Sequence, residues 1–105
     1  MGGSGSSGWE PTPPRDPCGT LSFRASLNSP QPAVVALLTV GHVLSIGMAP
    51  APQHAVQVSH GMSVAGTLTG PKISSLINCL LNGYCFEAEV VSISGGHCVV
   101  DVRPV

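Results

Sequence analysis

Charge is scarce in this chain: 9% of its 105 residues are Asp, Glu, Lys or Arg, with four basic against five acidic side chains and a formal net charge of −1. A field that weak draws no polyanion from a distance, so long-range recruitment of nucleic acid is excluded. Aromatic residues are scarcer still, at 4%. Trp9, Phe23, Tyr84 and Phe86 are the whole supply, too few for a stacking platform along a single strand. The four cysteines, Cys18, Cys79, Cys85 and Cys98, show no CxxC spacing. Neither a zinc knuckle nor a disulfide framework is expected, no signal peptide precedes them, and reduced thiols in a cytoplasmic protein are the default reading. No apolar run reaches the roughly 20 residues of a membrane span; the longest candidate, residues 33–49, is broken by Thr39, Gly41, His42, Ser45 and Gly47.

What the chain does have begins after its first 17 residues. Residues 1–8 are Gly/Ser repetition of the tag or linker kind, and Pro11, Pro13, Pro14 and Pro17 follow without apolar periodicity. The fold is therefore expected in residues 18–105 as one small domain. A core of that size offsets chain entropy by only about 3–5 kcal/mol, so its positions should tolerate little.

The last third carries the clearest pattern. Pro71 suits a first helical turn and Gly83 a left-handed stop. Between them Ile73, Leu76, Ile77, Leu80 and Leu81 form an apolar stripe at helical spacing, with Ser75, Asn78 and Asn82 on the other face and Cys79 beside them, off the stripe and exposed. The flanking segments alternate as strands. Leu21, Phe23, Ala25 and Leu27 face inward in one; Leu44, Ile46 and Met48 face inward in another, before a Pro/Ala loop over residues 49–53. Residues 33–40 fit either a short helix or a strand.

Two hairpins can be put in register. A three-residue loop of Ser59, His60 and Gly61 would set Val58 opposite Met62 and Val56 opposite Val64. Gly66, in mid-strand, marks a bend or bulge. In the last hairpin Gly95 and Gly96 favour a two-residue primed turn that pairs Ile93 with Cys98. An unbroken ladder from there would bury Glu89. A bulge near Val90 and Val91 avoids that cost, setting Ala88 against Val102, Glu87 against Arg103 and Glu89 near Asp101 on the outer face. Cys98, in step with Val100 and Val102, is expected to be a packed thiol. The sum is an α+β fold: a small, mainly antiparallel β-barrel of OB or SH3 type with one amphipathic helix packed on it.

The run from Leu38 to Leu44, the strand from His54 to Val58, the stretch from Gly61 to Gly66, the helix from Pro71 to Asn82 and the run from Gly83 to Val90 with its closing hairpin together resemble the HIRAN domain. That family is a small β-barrel with one helix, found in DNA-dependent remodelling ATPases and as bacterial stand-alone proteins, and one branch binds 3′ ends of single-stranded DNA. The resemblance implies the barrel. The DNA-gripping members carry an Asn-Pro-Tyr-Asp stretch that supplies a stacking aromatic and an acid. This chain has Ala49, Pro50, Ala51 and Pro52 at the matching place. What remains for nucleic acid is Lys72 at the helix start, where a phosphate would also meet backbone N–H groups, with Tyr84 and Arg24.

Three functions are consistent with these residues. The first is a non-catalytic β-barrel interaction module that binds a protein partner or a second copy of itself. The second is a HIRAN-like binder of single-stranded DNA. The third is a small enzyme using Cys79 or Cys85 with His42, His54, His60 or His97, although no spacing selects a pair. No cofactor or metal is implied.

Overall fold

The computed structural model describes residues 17–50 and 55–105. The Gly/Ser and proline-rich expectation for residues 1–16, and most of the 49–53 loop, lie outside the described residues. The element order is β1 (Phe23–Ser26), α1 (Pro32–Val35), β2 (Val43–Met48), β3 (Val56–His60), β4 (Ser63–Leu68), α2 (Ile73–Leu81), β5 (Phe86–Ser94) and β6 (His97–Pro104). All six strands form one antiparallel sheet in the order β1-β6-β5-β2-β3-β4. The sheet curls into a half-barrel, because its two edge strands meet at an isolated bridge between Asn28 and Thr67. The ambiguous segment 33–40 resolves as a short helix and turn, so the domain has two helices where one was expected.

The closing hairpin has the expected register throughout. Gly95 and Gly96 both take positive φ, 57° and 83°, as a type I′ turn requires. Ile93 pairs with Cys98, the ladder slips between Val90 and Ser92, and Ala88, Glu87 and Glu89 then face Val102, Arg103 and Asp101. The extra residue is Val91, half-buried in the bulge, while Val90 beside it is wholly buried. One inserted residue thus turns Glu89 outward and keeps Val90, Val100 and Val102 in the core.

The β3–β4 hairpin corrects the expected turn. His60 pairs with Ser63 around a two-residue turn of Gly61 and Met62. Gly61 takes φ 62° at the first central position, as in a type II′ turn. Met62 is fully exposed rather than paired with Val58. Val58 instead lies opposite Gly66, because Ala65 is looped out by a bulge that buries Ala65 and Gly66 together. Gly66 has a tight reason to be glycine. A Cβ there would stand 3.0 Å from the Asn28 carbonyl oxygen and 3.0 Å from the Leu27 Cβ, where the chain after β1 crosses to close the sheet. Gly66→Val should force that crossing apart and cost about 1–3 kcal/mol in chemical denaturation, whereas a substitution at exposed Ser63 should leave the midpoint in place.

The core joins Leu44, Val56, Val58, Leu68, Phe86, Val90, Cys98, Val100 and Val102 from the sheet with Leu76 from α2 and Val35 and Leu38 from the α1 region. Helix α2 docks as expected at Leu76, with Ile73, Ile77 and Leu80 partly buried, and Gly83 ends it at φ 90°. Its buried face is rotated from the expected stripe. Leu81 is 71% exposed, and Cys79 is buried. Cys79 is covered through a Cys18–Cys79 disulfide, 61 residues apart in sequence, which lays residues 17–21 along the side of the helix that carries Ser75, Asn78 and Asn82. The expectation of reduced thiols is overturned for this pair. Cys98 is a packed thiol as expected, its pKa pushed up by burial, and Cys85 is exposed. Among the described residues no helix is long and apolar enough to cross a membrane.

Candidate functional site

The two edges of the sheet meet at one point and then part. Asn28 and Thr67 exchange both backbone hydrogen bonds, N to O at 2.8 and 2.9 Å, and the Asn28 amide also bonds the Thr69 hydroxyl. Beyond Thr69 the chain leaves the sheet through Gly70, at φ 123°, and turns into α2. β1 continues alone on that side. The result is a cleft of about 220 Å³ lined by Phe23, Arg24, Ala25, Thr69, Gly70, Pro71 and Lys72.

Strand alternation shows what β1 presents to this cleft. Leu27 donates its N–H to Cys98 in β6, and Asn28 donates to Thr67 in β4. Successive main-chain groups point to opposite edges of a strand. Ala25 therefore addresses β6 together with Leu27, while the N–H and C=O of Ser26 and Arg24 point with Asn28 toward the gap that β4 has vacated. Two backbone positions of a sheet edge have no strand partner there among the described residues.

The structure brings two of the three expected site residues together. Arg24 and Lys72 line the same cleft, although 48 residues separate them in sequence. Tyr84 lies past the opposite end of the nine-residue helix α2, which puts it about 13 Å or more along the axis from Lys72. Tyr84 is 38% exposed and cannot share a short ligand with the cleft.

The two cations differ in availability. Arg24 is committed: its Nε donates to Asp101 Oδ1 at 2.7 Å and its Nη2 to Oδ2 at 3.2 Å. Next to it Arg103 donates to Glu87 at 2.7 Å and to Glu89 at 2.5 Å. This ladder answers the expected pairing of Glu87 with Arg103. It also neutralises Glu89 and Asp101, which face each other across β5 and β6 and would otherwise repel. Bonding to Asp101 raises the Arg24 pKa, and bonding to Glu89 and then Glu87 raises that of Arg103. Lys72 makes no ion pair with any described residue.

The same contacts predict an acid dependence. The Arg24 hydrogen bond holds the Asp101 carboxyl below its ordinary value of 3.8. A depressed carboxylate contributes stability that is present above the ordinary value and lost as pH falls through the folded one. Thermal melts should show Asp101→Asn less stable than the parent near neutral pH, with the difference closing as pH falls through the depressed carboxyl range, below the ordinary value. A difference independent of pH would mean that the ion pair is not the cause.

Of the candidate Cys and His residues, Cys85 is an exposed free thiol, and the others described make contacts away from the cleft. Cys79 is in the disulfide. His42 accepts a hydrogen bond from the Thr39 N–H at Nδ1 and stacks on His60 with ring centroids 5.3 Å apart. His97 Nε2 lies 3.3 Å from the Ser26 hydroxyl. His54 lies outside the described residues. No group of three or more His, Cys, Asp or Glu among the described residues could hold a metal ion.

Sequence reading missed the open edge itself. Its one local signal was Gly70 and Pro71 following the strand, which end β4 while β1 runs on. No family model matches the chain, and no curated protein matches it. Among solved structures the chain is similar to a crystal structure of a structural-genomics target from Lactobacillus plantarum, with a TM-score of 0.67 at 12% sequence identity over 82% of this chain and 97% of the other, which is a likeness of fold.

Proposed function

We propose that this chain is a non-catalytic interaction module that takes an extended segment of a partner protein at the open edge of β1. The observation that carries this reading is the parting of β1 and β4 beyond Thr69, which leaves the backbone groups of Arg24 and Ser26 directed toward the vacated edge, with Arg24 lining the cleft. An added strand satisfies such groups, main-chain bonds supplying affinity and side-chain pockets specificity. β1 has only four residues, one of them Arg24. A short charged edge resists indiscriminate sheet growth, so a matched short segment is favoured over open-ended assembly.

A second reading, a HIRAN-like contact with single-stranded DNA, draws on Arg24 and Lys72 sharing one cleft. It is the weaker, since Arg24 is held by Asp101 and Tyr84 is distant. With one unpaired cation among the described residues, the salt slope on a single strand should be near −0.7, and affinity weaker than about 10⁻⁵ M at physiological salt. The test is a pair of NMR titrations of the labelled chain, one with the neutral peptide acetyl-Val-Thr-Val-Ser-Val-amide and one with a ten-residue oligothymidylate. Saturable shifts of the Arg24 and Ser26 amides with the peptide are expected. Sub-micromolar binding of the oligonucleotide, lost in Lys72→Ala or Tyr84→Ala, would restore the DNA reading, and a mass that rises with concentration in light scattering would make the partner a second copy.

A further inference from the structure

The charge around the open edge says which segment it takes. Of the three basic side chains in the described residues, Arg24 and Arg103 are each tied to carboxylates by bonds of 2.5 to 2.7 Å, and Lys72 makes no ion pair with any described residue. Lys72 is exposed at the mouth of the cleft, on the turn that carries the chain from β4 into α2. The lining offers no carboxylate of its own: with Lys72 the cleft is lined by Phe23, Arg24, Ala25, Thr69, Gly70 and Pro71, and Asp101, the partner of Arg24, is already bonded.

We infer that the open edge of β1 selects an extended peptide carrying a carboxylate, which Lys72 receives while the peptide backbone pairs with Arg24 and Ser26. This rests on the edge-binding reading above and names the chemistry of its partner. Ser26 and Arg24 are two residues apart, so their exposed groups span about 7 Å of strand. A segment of that length gains little specificity from backbone bonds alone, which are blind to sequence. The single unpaired cation beside them supplies the discrimination. A lysine suits this use, because its ammonium on a flexible stem meets a carboxylate from several directions, where a guanidinium fork demands one. Two side-chain features frame the site further. Phe23 and Ala25 place apolar surface under the segment, and Thr69 closes one end by its bond to Asn28.

The experiment compares three peptides on the labelled full chain: acetyl-Val-Thr-Val-Glu-Val-amide, its Lys analogue with Lys in place of Glu, and the neutral Ser version. The acidic peptide should shift the amides of Arg24, Ser26 and residues 69–72, and bind about fivefold more tightly than the Lys analogue at low salt. In Lys72→Gln, an exposed substitution that leaves the core intact, that preference should vanish while the amides of Arg24 and Ser26 still respond. N-methylation of alternate peptide nitrogens should remove binding by every peptide. Equal binding of all three peptides at the β1 amides would overturn the carboxylate selection and leave the edge reading standing. Absence of saturable shifts with all three up to millimolar concentration, or saturable shifts confined to other amides, would overturn both.

Discussion

Opening the Cys18–Cys79 bridge should lower the stability of this domain by about 4 kcal/mol, the value expected when a crosslink that closes a loop of 61 residues no longer restrains the unfolded chain. That is as large as the whole stability expected of a core of this size. The folded state loses as well, since Cys79 is buried and Cys18 holds residues 17–21 over the side of α2 that carries Ser75, Asn78 and Asn82. Denaturant unfolding with and without reductant should separate into two transitions, with the reduced chain unfolded or nearly so at 25 °C. Cys79→Ser should behave like the reduced chain. Cys85→Ser, at an exposed thiol outside the bridge, should behave like the oxidised parent. Identical midpoints in oxidant and reductant, with the bridge confirmed by mass, would show that the crosslink does not hold the fold.

Leu76→Ala should leave the domain unfolded or close to it. Leu76 is wholly buried between α2 and the sheet, and truncating a buried leucine costs about 2–5 kcal/mol through lost transfer energy and the cavity left behind. The informative control lies on the same helix. Leu81, 71% exposed, should lose less than about 0.5 kcal/mol on truncation, although both leucines belong to the same periodic stripe. A cooperative melt of Leu76→Ala only a few degrees below the parent would mean that α2 is not docked through that side chain.

The comparison of these two leucines separates what the chain encodes locally from what it does not. A helix between Pro71 and Gly83 follows from local spacing and stop signals, and the structure has it. The side of that helix that is covered depends on a segment more than 50 residues earlier in sequence, which Cys18 brings onto it. The periodicity therefore predicted Leu81 inside and Cys79 outside, the reverse of the outcome.

The two hairpins differ for a related reason. Gly95 and Gly96 admit one short primed turn, and the need to keep Glu89 out of the core then locates the bulge, so turn chemistry and burial together leave a single register. In the β3–β4 hairpin Gly61 alone satisfies the left-handed position of either a two- or a three-residue loop. The choice falls to the bulge at Ala65 and the closeness of Gly66 to the Asn28 carbonyl, a contact made by a chain crossing from β1. The candidate site is legible in parts only. Lys72 at a helix start and Arg24 on an exposed strand face can each be read from their neighbours. That they share a cleft, and that one cation there has no ion-pair partner among the described residues, follows from the curl of the sheet and from the pairing of Arg24 with Asp101 across 77 residues. Strand alternation, helix periodicity and glycine turns act over a few residues, and the sequence by itself determines them. The closure of the sheet, the disulfide and the open edge arise between segments distant along the chain, whose approach depends on the packing of the whole core, and only the tertiary structure decided them.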